Sequence, residues 1–182
     1  MIAACWIIFL TYWIISASRI KAAVERKSLA SALAYRLPNL LGVALFFLSH
    51  RTSPLNLPVI PQSELTMVLG DIVCVLGLFL AVWSRRTLGG NWSSNVTFKQ
   101  DHQLIQTGPY RFARHPIYTG ILMMLLGTAI AAGILGCWIG LLSVGIGFWI
   151  KLKQEERLLL QHFPDSYPAY RLRVKALVPL II

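Results

Sequence analysis

Acidic residues are scarce in this chain: 7 Asp and Glu stand against 17 Lys and Arg in 182 residues, a formal net charge of +10. Such a surplus of cations fits either a polyanion or a membrane surface. Nucleic acid is excluded, because the basic residues fall in the gaps between apolar segments and form no stripe interleaved with aromatics. Cysteines are few and scattered. Cys5, Cys74 and Cys137 each lie inside an apolar run without the close spacing of zinc or redox sites, so they read as buried thiols. His50 and His162 are lone histidines near span ends, His102 and His115 lack partners at ligand spacing, and no metal is expected. No stretch rich in Ser, Gly or Pro is long enough to separate one domain from another, so residues 1–182 read as a single domain. A glycine-rich dinucleotide fingerprint, a P-loop and a G-x-S-x-G elbow are all missing. The opening run "MIAACWIIFLTYWIISAS" has no basic residue ahead of it and is bulky where a cleavage site needs small side chains; it reads as a retained anchor.

What is abundant is apolar surface. Hydrophobic residues make up 56% of the chain, charged ones 13%, and the mean hydropathy is +0.63, values of an integral membrane protein. A helix crosses the hydrocarbon core with about 20 mostly apolar residues. Candidate spans run from Ile2 to Ser18, around Leu37 to His50, and from Leu65 to Trp83. The second reaches full length only by including Leu29 to Arg36, with Pro38 in its first turns. From Ile117 to Ile150 the chain is apolar throughout, about 50 Å as one helix and too long for a core of about 30 Å. It is expected to fold back at "AAGILG", around Gly133 and Gly136, as a helical hairpin. The expected fold is therefore all-α with five transmembrane helices, three of them in residues 1–83.

The loops test that count independently. Arg19, Lys21, Arg26, Lys27 and Arg36 follow span one; Arg85, Arg86, Lys99, Arg111 and Arg114 follow span three; Lys151, Lys153, Arg157, Arg171, Arg173 and Lys175 follow span five. Every Lys and Arg except Arg51 thus falls on one side, which the positive-inside rule assigns to the cytoplasm. The N-terminus is expected outside, with the central loop and tail both cytoplasmic.

Those two segments flank the hairpin and must meet at its base, so chemistry is sought there, in residues 84–182. Arg114 and His115 stand immediately before Pro116, a residue suited to the first position of a helix. A helix entrance offers N–H groups and partial positive charge to a carboxylate or phosphate, and Arg114 adds a bidentate donor; alternatively Arg114 anchors at lipid headgroups. Glu155 and Glu156 follow the last span at once, and pairing with Lys151, Lys153 or Arg157 along a surface helix would also explain them. Tyr167, Tyr170 and Arg173, spaced by three, share one helical face that would pack on headgroups or on a ligand. Asp71, inside span three, lies near the outer end and reads as structural or interfacial.

Together "GPYRFARHPIYTG", a two-span hairpin, "EERLLLQHF" and "YPAYRLRVKALVP" resemble the isoprenylcysteine carboxyl methyltransferase family, with its bacterial members and its phospholipid methyltransferase relatives. The resemblance runs from about Arg85 to the C-terminus; Pro164 departs from the Gly that eukaryotic members often carry there. It implies S-adenosylmethionine as methyl donor, in a cytoplasmic pocket formed by the central loop and the tail. By position it assigns cofactor binding to Tyr110, Arg114, His115, Pro116, Tyr118, Gly120, Glu155, Glu156, Tyr170 and Arg173. Arg173 or Arg114 would orient a carboxylate acceptor, and Glu156 or His115 would take a proton from an amine or thiol. The resemblance also implies a multi-pass protein of a bacterial inner membrane, with membrane lipid and a lipophilic or prenylated acceptor as partners. Phospholipid amines and small thiols are alternative acceptors. Two other readings are a nicotinamide-dependent sterol-type reductase, which shares an "RHP-x-Y-x-G" element but usually has Asp at the position of Ile121, and a non-enzymatic membrane protein.

Overall fold

The apolar runs form helices whose ends are set by local chemistry. A computed structural model of the chain describes residues 1–17, 23–26, 28–92, 96–99 and 103–177. Ser18, Arg19, Lys21, Lys27, His102 and the tail beyond 177, on which some of the sequence-based expectations rest, lie outside the described residues. Helix α1 spans Ile2–Ala17, and a short strand β1, Ala23–Arg26, follows. Helix α2, Leu29–Leu48, begins where the Ser28 side chain accepts the Ser31 N–H. Helix α3, Glu64–Leu88, opens with a reciprocal capping box between Ser63 and Thr66 and ends at Gly89, in a positive-φ conformation (55°). Strand β2, Thr97–Lys99, pairs antiparallel with β1. Helices α4, Pro116–Ala132, and α5, Leu135–His162, form the hairpin, and α6, Tyr167–Arg173, lies in the tail.

Four features differ from the sequence reading. The fold is helical but not purely α, because β1 and β2 join the first and third connections on one edge. The hairpin turns at Gly133 alone (φ 65°), whereas Gly136 already belongs to α5 and lies against Ser49. Pro38 sits well inside α2 rather than in its first turns, and its carbonyl accepts the Ser143 hydroxyl of α5 at 2.8 Å. Finally, α5 does not stop at Ile150. At 1.5 Å per residue its 28 residues reach about 42 Å, about 12 Å more than a hydrocarbon core, and Glu155 and Glu156 lie on its last turns.

Three helical segments, Leu29–Arg51, Glu64–Asn91 and Leu135–His162, are long and apolar enough to cross a membrane. Helices α1 and α4 are equally apolar but shorter, at 16 and 17 residues. Large apolar side chains face outward along α1, α2 and α3, among them Ile14, Leu40 and Phe79, as expected of helices whose solvent is lipid.

Lipid offers no hydrophobic driving force between helices, so close backbone approach must hold them together. Two seams of small residues supply it. Gly70 and Gly77 of α3 face Gly127 and Gly120 of α4, and a Cβ built on Gly77 would meet the Gly120 carbonyl at 2.6 Å. Along α2 and α5, a Cβ on Gly140 would fall 2.8 Å from the Gly42 carbonyl, and one on Gly147 would fall 2.9 Å from that of Tyr35. At the end away from the polar loops, the α2–α3 connection binds the hairpin turn, with Val59 N–H on the Gly133 carbonyl (2.7 Å) and Leu135 N–H on that of Leu57 (2.9 Å). Asp71, 3.5 Å from the Met1 amino group, also lies toward that end. Replacing Gly77 by Leu is expected to force α3 and α4 apart and destabilise the bundle by about 3 kcal/mol. The thermal midpoint in detergent reads this directly, and an unchanged midpoint would contradict the seam.

Candidate functional site

Just before α4 the chain makes a 3-10 turn at Gly108–Arg111, which Gly108 enters at φ 58°. The turn delivers Arg114 and His115 to the entrance of α4, where His115 occupies the cap position without using its side chain as a cap. The tail then closes over this entrance. Arg114 N–H donates to the Lys175 carbonyl at 2.8 Å, His115 N–H to that of Ala176 at 2.9 Å, and the Thr119 hydroxyl to that of Leu177 at 2.8 Å. The central loop and the tail therefore meet, as expected, and the two backbone donors just ahead of α4 are bonded to the tail.

The Arg114 guanidinium is likewise committed to the protein. Its Nε and Nη2 donate to Glu156 Oε1 at 2.9 and 2.5 Å, while Nη1 donates to the carbonyls of Arg171, at 3.2 Å, and Val174. This pair is buried, with side chains 9% and 4% exposed. Arg171 Nε stands 3.7 Å from the second Glu156 oxygen. The interaction draws on three segments of chain: the α4 entrance, the end of α5 and the tail.

His115 links the two glutamates. Its Nδ1 lies 3.4 Å from Glu155 Oε2 and its Nε2 lies 3.5 Å from Glu156 Oε1, both long for hydrogen bonds but close enough for charge to matter. The ring stacks on Tyr118, which stacks in turn on Phe148 with centroids 4.7 Å apart. Tyr118 OH donates to Glu155 Oε1 at 2.6 Å. Burial works to lower the His115 pKa, but the two carboxylates outweigh it and raise it above the ordinary 6.5.

Beside this cluster lies a recess lined by Leu88, Leu104, Ile105, Tyr110, Leu159 and Tyr170, with Arg114 at its edge. Tyr170 OH donates to the Tyr110 carbonyl at 2.7 Å, fixing α6 to the 3-10 turn. Burial raises the pKa of both phenols, that of Tyr170 to about 12, so both stay neutral.

Of the residues expected in the site, Tyr110, Arg114, His115, Tyr118, Glu155, Glu156 and Tyr170 converge here. Three stand apart. Pro116, fully buried, begins α4, and Gly120 packs on Gly77 and Ala81 of α3, which gives both a structural task. Arg173 is exposed at the rim, where Nη2 donates to Gln106 Oε1 at 3.2 Å. The sequence reading missed Tyr35, which reaches the cluster from α2, and Lys151, which it gave only a surface pairing. Tyr167, noted in the tail stripe but not assigned to the site, is fully buried under Tyr170.

Apolar helices that carry a buried charged cluster at one end, closed by a polar loop and a tail, define a polytopic membrane protein. A sequence profile of the phospholipid methyltransferase family matches residues 65–166, more than half of the chain. Over 112 residues the chain is 34% identical to the protein-S-isoprenylcysteine O-methyltransferase of Schizosaccharomyces pombe, covering 58% of this chain and 46% of that one. The protein of the same name from Saccharomyces cerevisiae is 30% identical over 122 residues, 65% of this chain and 51% of that one. The structure of a eukaryotic intramembrane Ras methyltransferase, isoprenylcysteine carboxyl methyltransferase, superposes with a TM-score of 0.62 at 26% identity, over 81% of this chain and 52% of the other. The chain belongs to the phospholipid methyltransferase family, is similar to these isoprenylcysteine O-methyltransferases, and spans about half the length of the two yeast relatives.

The raised pKa of His115 carries a definite sign. A protonated histidine favoured by the fold stabilises it fully below the ordinary value of 6.5, and that stabilisation is lost as pH rises through the higher folded value. The thermal midpoint in detergent is expected to fall over that window in the native chain and to fall less in His115→Asn. Equal slopes in the two proteins would remove His115 from the linkage.

Proposed function

We propose that the protein transfers a methyl group from S-adenosylmethionine to the carboxylate of a lipid-tailed acceptor of the prenylated-cysteine kind, at the cytoplasmic face of a bacterial inner membrane. The observation that carries this reading is the convergence of Glu155, Glu156, His115 and Arg114 beside an aromatic recess, in a chain of this family. The side chains present suit such a donor. Glu155 and Glu156 offer carboxylates to an ammonium and to ribose hydroxyls, and the recess bounded by Tyr110 and Tyr170 offers flat apolar walls to a purine. Arg114 acts here as the positioning residue that fixes Glu156, and Arg173 as a rim contact. Five spans, an outer N-terminus and a cytoplasmic tail complete the proposal, with residues 1–83 as supporting spans and 84–182 as the donor-binding region of one domain.

S-adenosylmethionine, when bound, supplies a methyl carbon on a positively charged sulfur that is open to in-line attack. A carboxylate acceptor is already an anion and needs no general base, so the protein's task reduces to alignment and exclusion of water. The site lies where the apolar stack of Tyr118 and Phe148 meets the charged cluster. An amphiphile can present its head there while its tail stays in lipid, and each methylene kept from water contributes about 0.8 kcal/mol. The family's description favours a second reading, an amino-lipid acceptor, for which Glu156 or His115 would take the proton.

Labelled methyl transfer in sealed vesicles separates these cases. Label is expected in a base-labile methyl ester of a long-tailed carboxylate acceptor, only when donor is given to the cytoplasmic face, and shortening the tail should lower the rate. Glu156→Gln should weaken donor binding by about 1.5–3 kcal/mol, the worth of a charge-assisted hydrogen bond. Base-stable label in an amino lipid would establish the second reading. Highest activity with the shortest soluble compound would refute the lipid-tailed acceptor.

A further inference from the structure

A buried cation stands on the bilayer side of the two glutamates. Lys151, 8% exposed, lies on α5 one turn toward the membrane from Glu155. Its ammonium stands over the faces of Tyr35 and Tyr118, 5.6 and 5.2 Å from the ring centroids, and 4.0 Å from Glu155 Oε1. Glu155 also accepts from the Tyr118 hydroxyl at 2.6 Å. Tyr35, 3% exposed on α2, carries a buried hydroxyl with no hydrogen-bond partner among the described residues. A buried phenol left in that state costs free energy unless a ligand completes it.

The other cations of the site lie at the α4 entrance and in the tail. Arg114 is spread over Glu156 and two tail carbonyls, Arg171 faces Glu156, and Arg173 is exposed on Gln106. Lys151 instead sits where charge gives way to Val144, Phe148 and Leu152 in the apolar core. Along α5 this position lies between the glutamates and the apolar middle of the helix.

We propose that Lys151, together with the Tyr35 hydroxyl, anchors the carboxylate of the methyl acceptor. This assignment rests on the methyltransferase reading above and names the residues that select its substrate. A carboxylate taken from water to the bilayer edge needs a cation and hydrogen-bond donors, and this pair provides both. Anchoring one carboxylate oxygen leaves the other directed at the donor. A protonated amine head group would meet a like charge at the same place, so Lys151 also discriminates against amino lipids.

The test uses the full chain in lipid nanodiscs, with S-adenosylmethionine affinity measured by calorimetry and transfer kinetics measured on an N-acetylated S-prenyl cysteine. Lys151→Gln is expected to raise the acceptor KM by about tenfold or more while donor affinity stays within about twofold, as for loss of a charge-assisted contact made to the acceptor alone. Lys151→Arg should recover most of that loss, and Tyr35→Phe should raise KM by roughly threefold. An unchanged KM in Lys151→Gln overturns the proposal, as does a donor affinity that weakens in step with KM. Should Lys151→Gln fail to fold, unchanged KM in both Lys151→Arg and Tyr35→Phe overturns it instead. A native chain that binds donor but methylates no carboxylate overturns the functional reading as well.

Discussion

The buried ion pair between Arg114 and Glu156 is the contact on which the polar end of this molecule depends. Taking two charges out of water is unfavourable unless their hydrogen bonds are completed inside, and here one guanidinium reaches Glu156 and the carbonyls of Arg171 and Val174. The pair therefore fixes the path of the tail as well as the position of the glutamate. Removing either partner would leave a buried charge without its main partner, a loss of about 3–5 kcal/mol in comparable sites. The α4 entrance, the end of α5 and the tail are thus ordered together or not at all.

The glycine seams decide where that pair can form. Close contact of α3 with α4 and of α2 with α5 fixes the height of the helices against one another, and α5, longer than a hydrocarbon core, carries Glu155 and Glu156 on its last turns. Low dielectric strengthens the interactions of charges placed at this boundary, while water remains near enough to deliver a soluble donor. The outward faces of α1, α2 and α3 are left to lipid. A reaction between a polar donor and an apolar acceptor suits such a boundary better than either phase alone.

Much of this architecture could be read from the chain. The apolar runs, the hairpin at Gly133 and the convergence of "RHPIY" with "EER" and "YPAY" follow from periodicity, breakers and motif order. What could not be read had tertiary causes. Gly120 lies in the middle of a motif, yet its lack of a side chain answers to the Gly77 carbonyl of another helix, which no local pattern reveals. The N–H groups of Arg114 and His115, just ahead of α4, are taken by tail carbonyls far along the chain. Tyr35 comes from a span without any signature, and only the packing of α2 on α5 brings it to Lys151. Pro38, expected in the first turns of its span, lies well inside α2, where a bilayer helix tolerates proline, and its carbonyl accepts the Ser143 hydroxyl of α5.

If Arg114 serves the proposed donor site by holding Glu156, the two residues must act as a unit on donor binding. A double-mutant cycle tests this most directly, with S-adenosylmethionine affinity measured for the native chain, Arg114→Met, Glu156→Gln and the pair together. The account predicts that the double variant binds about as weakly as the worse single one, a coupling energy of about 1.5–3 kcal/mol. Losses that add to within about 0.5 kcal/mol would show two independent residues and contradict it.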